Sequence, residues 1–180
     1  HSFPTRRSSD LWYPGDTYMM SFGQGQLLCT PLQMALLAAT VANKGALVRP
    51  RIIQNTPVKK RDLKLSDFSF DVVRRGMWRV VNEQGGTAYK SVRLDYMEVA
   101  GKTGSAETGM SRRRARGKWF SNQWNETHSW FMGYAPADHP EIAFCVLAEF
   151  AGHGSHTAAP ISKKILEAWA EIRGRKPDGE

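Results

Sequence analysis

Residues 99–107 form a run of small and alternating side chains that is typical of a β-strand and holds two glycines, Gly101 and Gly104. A glycine inside a strand indicates that another backbone or a ligand passes close by. Side chains alternate along a strand, so Thr103 and Ser105 share one face. With Lys102 and the strand's own N–H groups, these hydroxyls are the donors that a carboxylate or a developing oxyanion requires. A structural strand with an exposed lysine is the alternative that these residues alone leave open.

The hydrophobic pattern predicts an α+β chain with helices packed on an antiparallel sheet. Helices are expected near 30–43, 69–82 and 160–173, the first of which is apolar on nearly all sides and should be buried against the sheet. Strands are expected at 48–53, 128–135 and 141–150. The short link at 136–140 predicts that the last two strands pair antiparallel.

The net charge of +8 raises the question of a nucleic-acid partner. Five cations fall within the seven residues 112–118, and Trp119, Phe120 and Trp124 follow them. Cations interleaved with aromatic side chains bind phosphates and stack on bases, and binding of that kind depends steeply on salt. No nucleic-acid-binding module surrounds this run, so we predict a solvated insertion that meets anionic glycan, lipid or a partner, and no nucleic acid.

Cysteine and histidine residues offer little support for a metal or cofactor. Cys29 and Cys145 are predicted to be packed thiols, with a disulfide between them left open. His153 and His156 stand three residues apart in a glycine-rich stretch, but a zinc site needs further ligands that this stretch does not supply. His128 opens a predicted strand and is expected to be structural. We therefore predict neither a metal site nor a cofactor.

Further motifs accompany the Lys-Thr-Gly strand in a defined order. They lie at 12–17, 21–26, 30–34, 42–45, 82–88, 128–136 and 158–160. Over about residues 12–170 their order and spacing resemble those of class B penicillin-binding proteins, most of all the elongation-type branch, penicillin-binding protein 2. The Gly-Gln-Gly and Thr-Pro-Leu-Gln-Met segments favour this reading over a D,D-carboxypeptidase or a serine β-lactamase, in which water resolves the acyl-enzyme.

The resemblance implies a penicillin-binding transpeptidase fold and a peptidoglycan D,D-transpeptidase activity, with stem peptides and β-lactams as ligands. By the residue match, Lys102 would organise protons and charge near a serine–lysine pair. Thr103 would bind the ligand carboxylate, and Gly104 would line the same substrate-binding strand. Ser105 would supply a backbone N–H to the oxyanion hole and its hydroxyl as a second contact.

Two motifs of that family are missing from these residues. No serine is followed three positions later by lysine, and no Ser-x-Asn or Tyr-x-Asn triplet occurs. Residues 1–11 do not fit the family and are expected to be a non-native lead. We predict that 12–173 are the C-terminal portion of a transpeptidase domain, with a basic insertion at 108–127 and a polar tail at 174–180, and that this piece alone is inactive. A degenerate penicillin-binding sensor or scaffold is the non-enzymatic alternative, which an upstream Ser-x-x-Lys would exclude.

The resemblance also implies a place in the bacterial cell envelope. It would be the periplasmic face of the inner membrane, with an N-terminal anchor outside these residues. The parent protein would then work with a glycosyltransferase and other elongation-complex proteins. No run of about 18 apolar residues occurs in the sequence itself.

Overall fold

The computed structural model describes residues 12–25, 27–107, 114–115, 118–119 and 127–175. The helices are α1 Pro14–Ser21, α2 Pro31–Ala42, α3 Asp67–Asn82, α4 Tyr89–Val92 and α5 Ala158–Ile172. The strands are β1 Ala46–Val48, β2 Lys60–Asp62, β3 Ala100–Glu107, β4 Arg114–Ala115, β5 Lys118–Trp119, β6 Thr127–Ala135 and β7 Ile142–Ala148. The α+β class predicted from the hydrophobic pattern is confirmed.

The chain divides into two units, residues 1–30 and residues 31–180. The described part of the first unit is built around α1. Pro14 occupies the start of this helix, where its missing N–H costs nothing. The Tyr13 N–H donates to Asp16 Oδ2 at 2.8 Å, and Trp12 Nε1 donates to Thr17 Oγ1 at 2.8 Å, so the first turn is closed by its own side chains.

The second unit is organised around an antiparallel sheet in the order β3-β6-β7. Strand β3 pairs with β6 along its whole length, from Ala100 opposite Tyr134 to Glu107 opposite Thr127. Among the described strands β3 therefore lies at an edge of this sheet. Strands β1 and β2 form a separate antiparallel pair, as do β4 and β5 within the segment that joins β3 to β6.

Helices cover both faces of the sheet. On one face, Phe131 and Phe144 pack with Leu166 of α5 in the larger core cluster. On the other face, Ala100 and Tyr134 pack with residues of α2 and α3 in a second cluster. Residues adjacent in the strands thus serve opposite cores, as strand alternation requires.

Arg74 of α3 joins the second cluster to its surroundings. Its guanidinium donates to Ala42 O at 3.3 Å and to Ala137 O at 3.0 Å, and it lies 5.9 Å from the centre of the Tyr134 ring. Burial raises the pKa of the Tyr134 hydroxyl, and the positive charge of Arg74 partly opposes that rise. One side chain therefore links the end of α2, the turn after β6 and a buried tyrosine.

Most of the predicted elements are confirmed, and two predictions are wrong in part. The expected strand at 48–53 is instead β1, Ala46–Val48, which ends before Pro50. Helix α2 is buried only towards its C-terminal end, because Leu32 and Leu37 are 59% and 46% exposed. Cys29 and Cys145 are not joined by a disulfide.

Several predictions fall partly or wholly outside the described residues. These include the non-native lead at 1–11, most of the basic run at 112–118, and the end of the polar tail. None of the described helices is long and apolar enough to cross a membrane.

Candidate active-site strand

The Lys-Thr-Gly-Ser segment lies in the middle of edge strand β3. Lys102 is exposed, while Thr103, Gly104 and Ser105 are half-buried. Lys102 stands opposite Met132 and Ser105 opposite Ser129 in the register with β6. Because the strand alternates, Thr103 and Ser105 face the side of the sheet that carries α5, and Lys102 faces the other side.

The two glycines of β3 lie where space is short. A Cβ at Gly101 would be 2.4 Å from Phe131 Cζ, and a Cβ at Gly104 would be 3.2 Å from Trp130 Cβ. The expectation that another backbone passes close to Gly104 is also met. A Cβ on Gly154 would lie 2.5 Å from both Gly104 O and Trp130 O, so the Gly154 backbone rests directly on the β3–β6 pair.

Lys102 and Thr103 each have a local partner. Lys102 Nζ donates to Thr103 O at 2.7 Å. The Thr103 hydroxyl is 2.9 Å from the hydroxyl of Thr87, in the turn that follows α3. This contact orients the Thr103 hydroxyl, and Thr87 therefore belongs to the candidate site.

Ser105 contacts the loop that leads from β7 into α5. Its Oγ accepts a hydrogen bond from Gly154 N at 3.2 Å and lies 3.4 Å from His153 Nδ1. The ring of His156 lies edge-on to that of His153, with centroids 6.1 Å apart. The structure thus places an imidazole beside one of the two hydroxyls predicted to bind a substrate.

Two residues of β6 fix this loop, which we define as residues 150–157. His128 Nδ1 accepts from Phe150 N at 3.0 Å, which gives His128 the structural role expected from the sequence. The buried Ser129 hydroxyl donates to His153 O at 3.1 Å and accepts from Ala158 N at 2.9 Å. The loop is therefore held to the sheet at both ends.

The structure brings together Lys102, Thr103, Gly104 and Ser105 as one strand predicts, and adds Thr87, Ser129 and His153. Sequence reasoning noted Thr87 and Ser129 only within longer motifs, and it considered His153 only as a metal ligand. The Gly-Gly pair before Thr87 and the glycines around His153 signal turns, but they do not show where the turns end. Among the described residues, no three His, Cys, Asp or Glu side chains are grouped so that they could hold a metal ion.

This strand can supply hydrogen-bond donors to an anionic, extended ligand. It offers the Lys102 ammonium, the Thr103 and Ser105 hydroxyls and the backbone of a sheet edge. Residues 2–167 match the family of the penicillin-binding protein transpeptidase domain. The chain belongs to this transpeptidase-domain family.

Comparison with individual proteins of the family shows which branch this chain resembles. It is 33% identical over 188 residues to the peptidoglycan D,D-transpeptidase MrdA of Acinetobacter baumannii, covering 96% of this chain and 27% of that protein. The predicted likeness to the elongation-type branch, penicillin-binding protein 2, is thereby confirmed. The chain spans about a quarter of the length of this curated relative.

Solved structures agree with the sequence comparison. The crystal structure of Pseudomonas aeruginosa PBP2 in complex with WCK 5153 matches with a TM-score of 0.72 at 32% identity, covering 94% of this chain and 36% of that one. The complex between PBP2 and MreC from Helicobacter pylori matches with a TM-score of 0.75 at 28% identity, covering 92% and 29% of the two chains. The transpeptidase-domain fold predicted from the motifs is therefore confirmed.

Proposed function

We propose that these residues form the substrate-binding part of a peptidoglycan D,D-transpeptidase, which crosslinks stem peptides by acyl transfer through a serine ester. The observation that carries the proposal is the position of the Lys-Thr-Gly-Ser segment on an edge strand, in a chain of the transpeptidase-domain family. An exposed strand edge can pair with an extended peptide through main-chain hydrogen bonds.

Each residue of the strand has a distinct role in this proposal. Lys102 supplies positive charge beside the reacting serine and its general base. Thr103 binds the terminal carboxylate of the donor peptide or of a β-lactam. The N–H of Ser105 donates to the oxygen that becomes an oxyanion, and its hydroxyl makes a second contact to the ligand.

The nucleophile must come from outside the present residues. No serine here is followed three positions later by lysine, so we propose that a Ser-x-x-Lys helix and a Ser-x-Asn loop precede this segment in the same protein. In that protein the serine attacks the penultimate D-Ala carbonyl, the terminal D-Ala leaves, and an amine of a neighbouring stem peptide takes the acyl group. The 180 residues alone are expected to form no penicilloyl adduct.

The partners and location follow the relatives. A matched PBP2 structure is a complex with MreC, and we propose that the complete protein likewise joins an elongation complex with a glycosyltransferase. It would act at the periplasmic face of the inner membrane, held by an N-terminal anchor.

The test begins with the complete coding sequence that contains these residues. The encoded protein is expected to form a covalent adduct with a fluorescent penicillin and to join two stem peptides with release of D-Ala. Removal of a preorganised charged group from a catalytic site typically slows the reaction roughly 10²- to 10³-fold, so we expect Lys102→Ala to lower the acylation rate by that amount.

Lys164→Ala is the matched control, because Lys164 is an exposed lysine of α5. If Lys102→Ala is acylated at the wild-type rate, Lys102 does not supply the charge that the proposal assigns to it. Release of D-Ala to water without peptide joining would instead assign a D,D-carboxypeptidase. Absence of any adduct on the complete protein would leave a sensor or scaffold.

A further inference from the structure

We infer that His153 is a specificity-determining residue that tunes how strongly this site prefers ligands with a free carboxylate. The inference rests on the proposed function, since it concerns the ligand of the same strand. It assigns to the loop at 150–157 a part in ligand selection in addition to its part in packing.

The geometry around Ser105 carries the inference. The Ser105 oxygen accepts from the Gly154 N–H and lies within hydrogen-bond distance of His153 Nδ1. A hydroxyl has one proton to donate. When Nδ1 carries no proton, it can accept from the Ser105 hydroxyl, and a proton donated there is not offered to a ligand on the strand.

Protonation of the imidazole reverses this arrangement. A doubly protonated ring donates from Nδ1, so the Ser105 oxygen accepts from the imidazole as well as from the Gly154 N–H. The ring then also adds a positive charge next to Ser105, on the strand where the ligand carboxylate is expected. Histidine is the side chain whose charge ordinarily changes between about pH 5 and 8.

Other titratable groups lie on the loop at 150–157 and on the strands that adjoin it. His156 shares its loop and contacts its ring edge-on. On the strands beneath, Glu107 lies on the same face of β3 as Ser105, Lys102 lies on the opposite face, and the Nδ1 of His128 is held by the Phe150 N–H. The carboxylates of the adjoining segments are Glu107, two residues along the strand from Ser105, and Glu149, directly before the loop at 150–157.

The position of His153 is fixed although its ring is exposed. Its carbonyl oxygen accepts from the buried Ser129, and the next residue, Gly154, is seated on the β3–β6 pair without room for a side chain. Substitution of the exposed imidazole therefore changes the chemistry beside Ser105 without opening a cavity. This is the property expected of a position that selects ligands.

The experiment compares two ligands on the protein encoded by the complete reading frame. Benzylpenicillin carries the carboxylate, and its methyl ester does not. We measure the second-order acylation rate for each from pH 5.5 to 8, in the wild type and in His153→Asn. Asparagine can accept a hydrogen bond from Ser105 but cannot gain a charge.

In the wild type we expect the ratio of the two rates, acid over ester, to rise as the pH falls. In His153→Asn we expect a flat ratio that is roughly five- to tenfold lower at pH 5.5, the size expected of one solvent-exposed hydrogen bond to a charged group. His153→Gln should behave in the same way. His139→Asn is the control, because the His139 side chain is 90% exposed and its charged neighbour is Asp138.

The outcomes distinguish failure of the inference from failure of the proposed function. If the wild type is acylated but His153→Asn keeps the wild-type ratio and its pH dependence, the inference is overturned and the proposed function stands. Equal loss with both ligands would mean that His153 is only structural, which also overturns the inference. Failure of the wild type to be acylated at all would overturn the proposed function, and the inference with it.

Discussion

The contact between Gly154 and the edge strand predicts a large effect of adding a single methyl group. A Cβ at position 154 would lie 2.5 Å from Gly104 O, 2.5 Å from Trp130 O and 2.8 Å from Gly104 N, all of which are backbone atoms that cannot rotate away. Either the loop at 150–157 lifts from the sheet, or strand β3 moves. In both cases the hydrogen bond from Gly154 N to Ser105 Oγ is stretched or lost.

The loss in the free energy of unfolding expected for Gly154→Ala has two contributions. Overpacking of a close-packed site costs about 1–3 kcal/mol, and each lost hydrogen bond costs about 0.5–1.5 kcal/mol. We therefore expect Gly154→Ala to lower the free energy of unfolding by about 2–4 kcal/mol. Urea unfolding of the purified protein, followed by tryptophan fluorescence, measures this as a lower midpoint.

The matched control is Gly76→Ala in helix α3, where an added Cβ would meet nothing within 4 Å. Alanine is favoured over glycine in a helix by up to about 1 kcal/mol, so this variant should be as stable as the wild type or more stable. A Gly154→Ala protein within about 0.5 kcal/mol of the wild type would refute the reasoning, because that is the range of unremarkable surface substitutions.

Three further predictions concern the surroundings of the strand. Thr87→Val removes the hydrogen-bond partner of the Thr103 hydroxyl. The loss of one hydrogen bond should slow acylation of the complete protein by benzylpenicillin roughly three- to tenfold and change the rate with the methyl ester little. Equal slowing with both ligands would contradict the role of Thr103 in binding the carboxylate. Arg74→Met leaves two carbonyl oxygens without their donor and should cost about 1–3 kcal/mol in urea unfolding, whereas the exposed Arg75→Met should cost almost nothing. Burial raises the pKa of Tyr134 above its ordinary 10.0, so the folded state holds this proton more tightly than the unfolded state and stability should fall as the pH rises past 10. The fall should be shallower in Tyr134→Phe, and an unchanged slope would contradict the linkage.

The sequence predicted an element correctly where its residue pattern is compatible with only one structure. The alternation at 128–135 and the apolar run after it, joined by a short proline-containing link, could pair only as an antiparallel hairpin, and β6 and β7 do so. The strand expected at 48–53 does not form over that range, because Pro50 has no N–H to donate to a neighbouring strand. The pairing of β1 with β2 covers only Ala46–Val48.

The candidate site was predictable only along the strand itself. Lys102, Thr103 and Ser105 are neighbours in sequence, so their arrangement follows from the period of a strand. Thr87 lies 16 residues from Thr103 and His153 lies 48 residues from Ser105, and these meetings depend on how the turns are directed. Glycines mark such turns but do not specify their direction, which is set here by the β3–β6 register and by Ser129.

The three hydrogen bonds that tie His128 and Ser129 of β6 to Phe150, His153 and Ala158 have a consequence for the length of the loop. Phe150 is held to His128, and both His153 and Ala158 are held to the single hydroxyl of Ser129. A residue inserted or deleted between these points would break at least one tie, whereas a replaced side chain at an exposed loop position breaks none. The chemistry that this loop presents to the strand can therefore change by substitution while the path of its backbone stays constant.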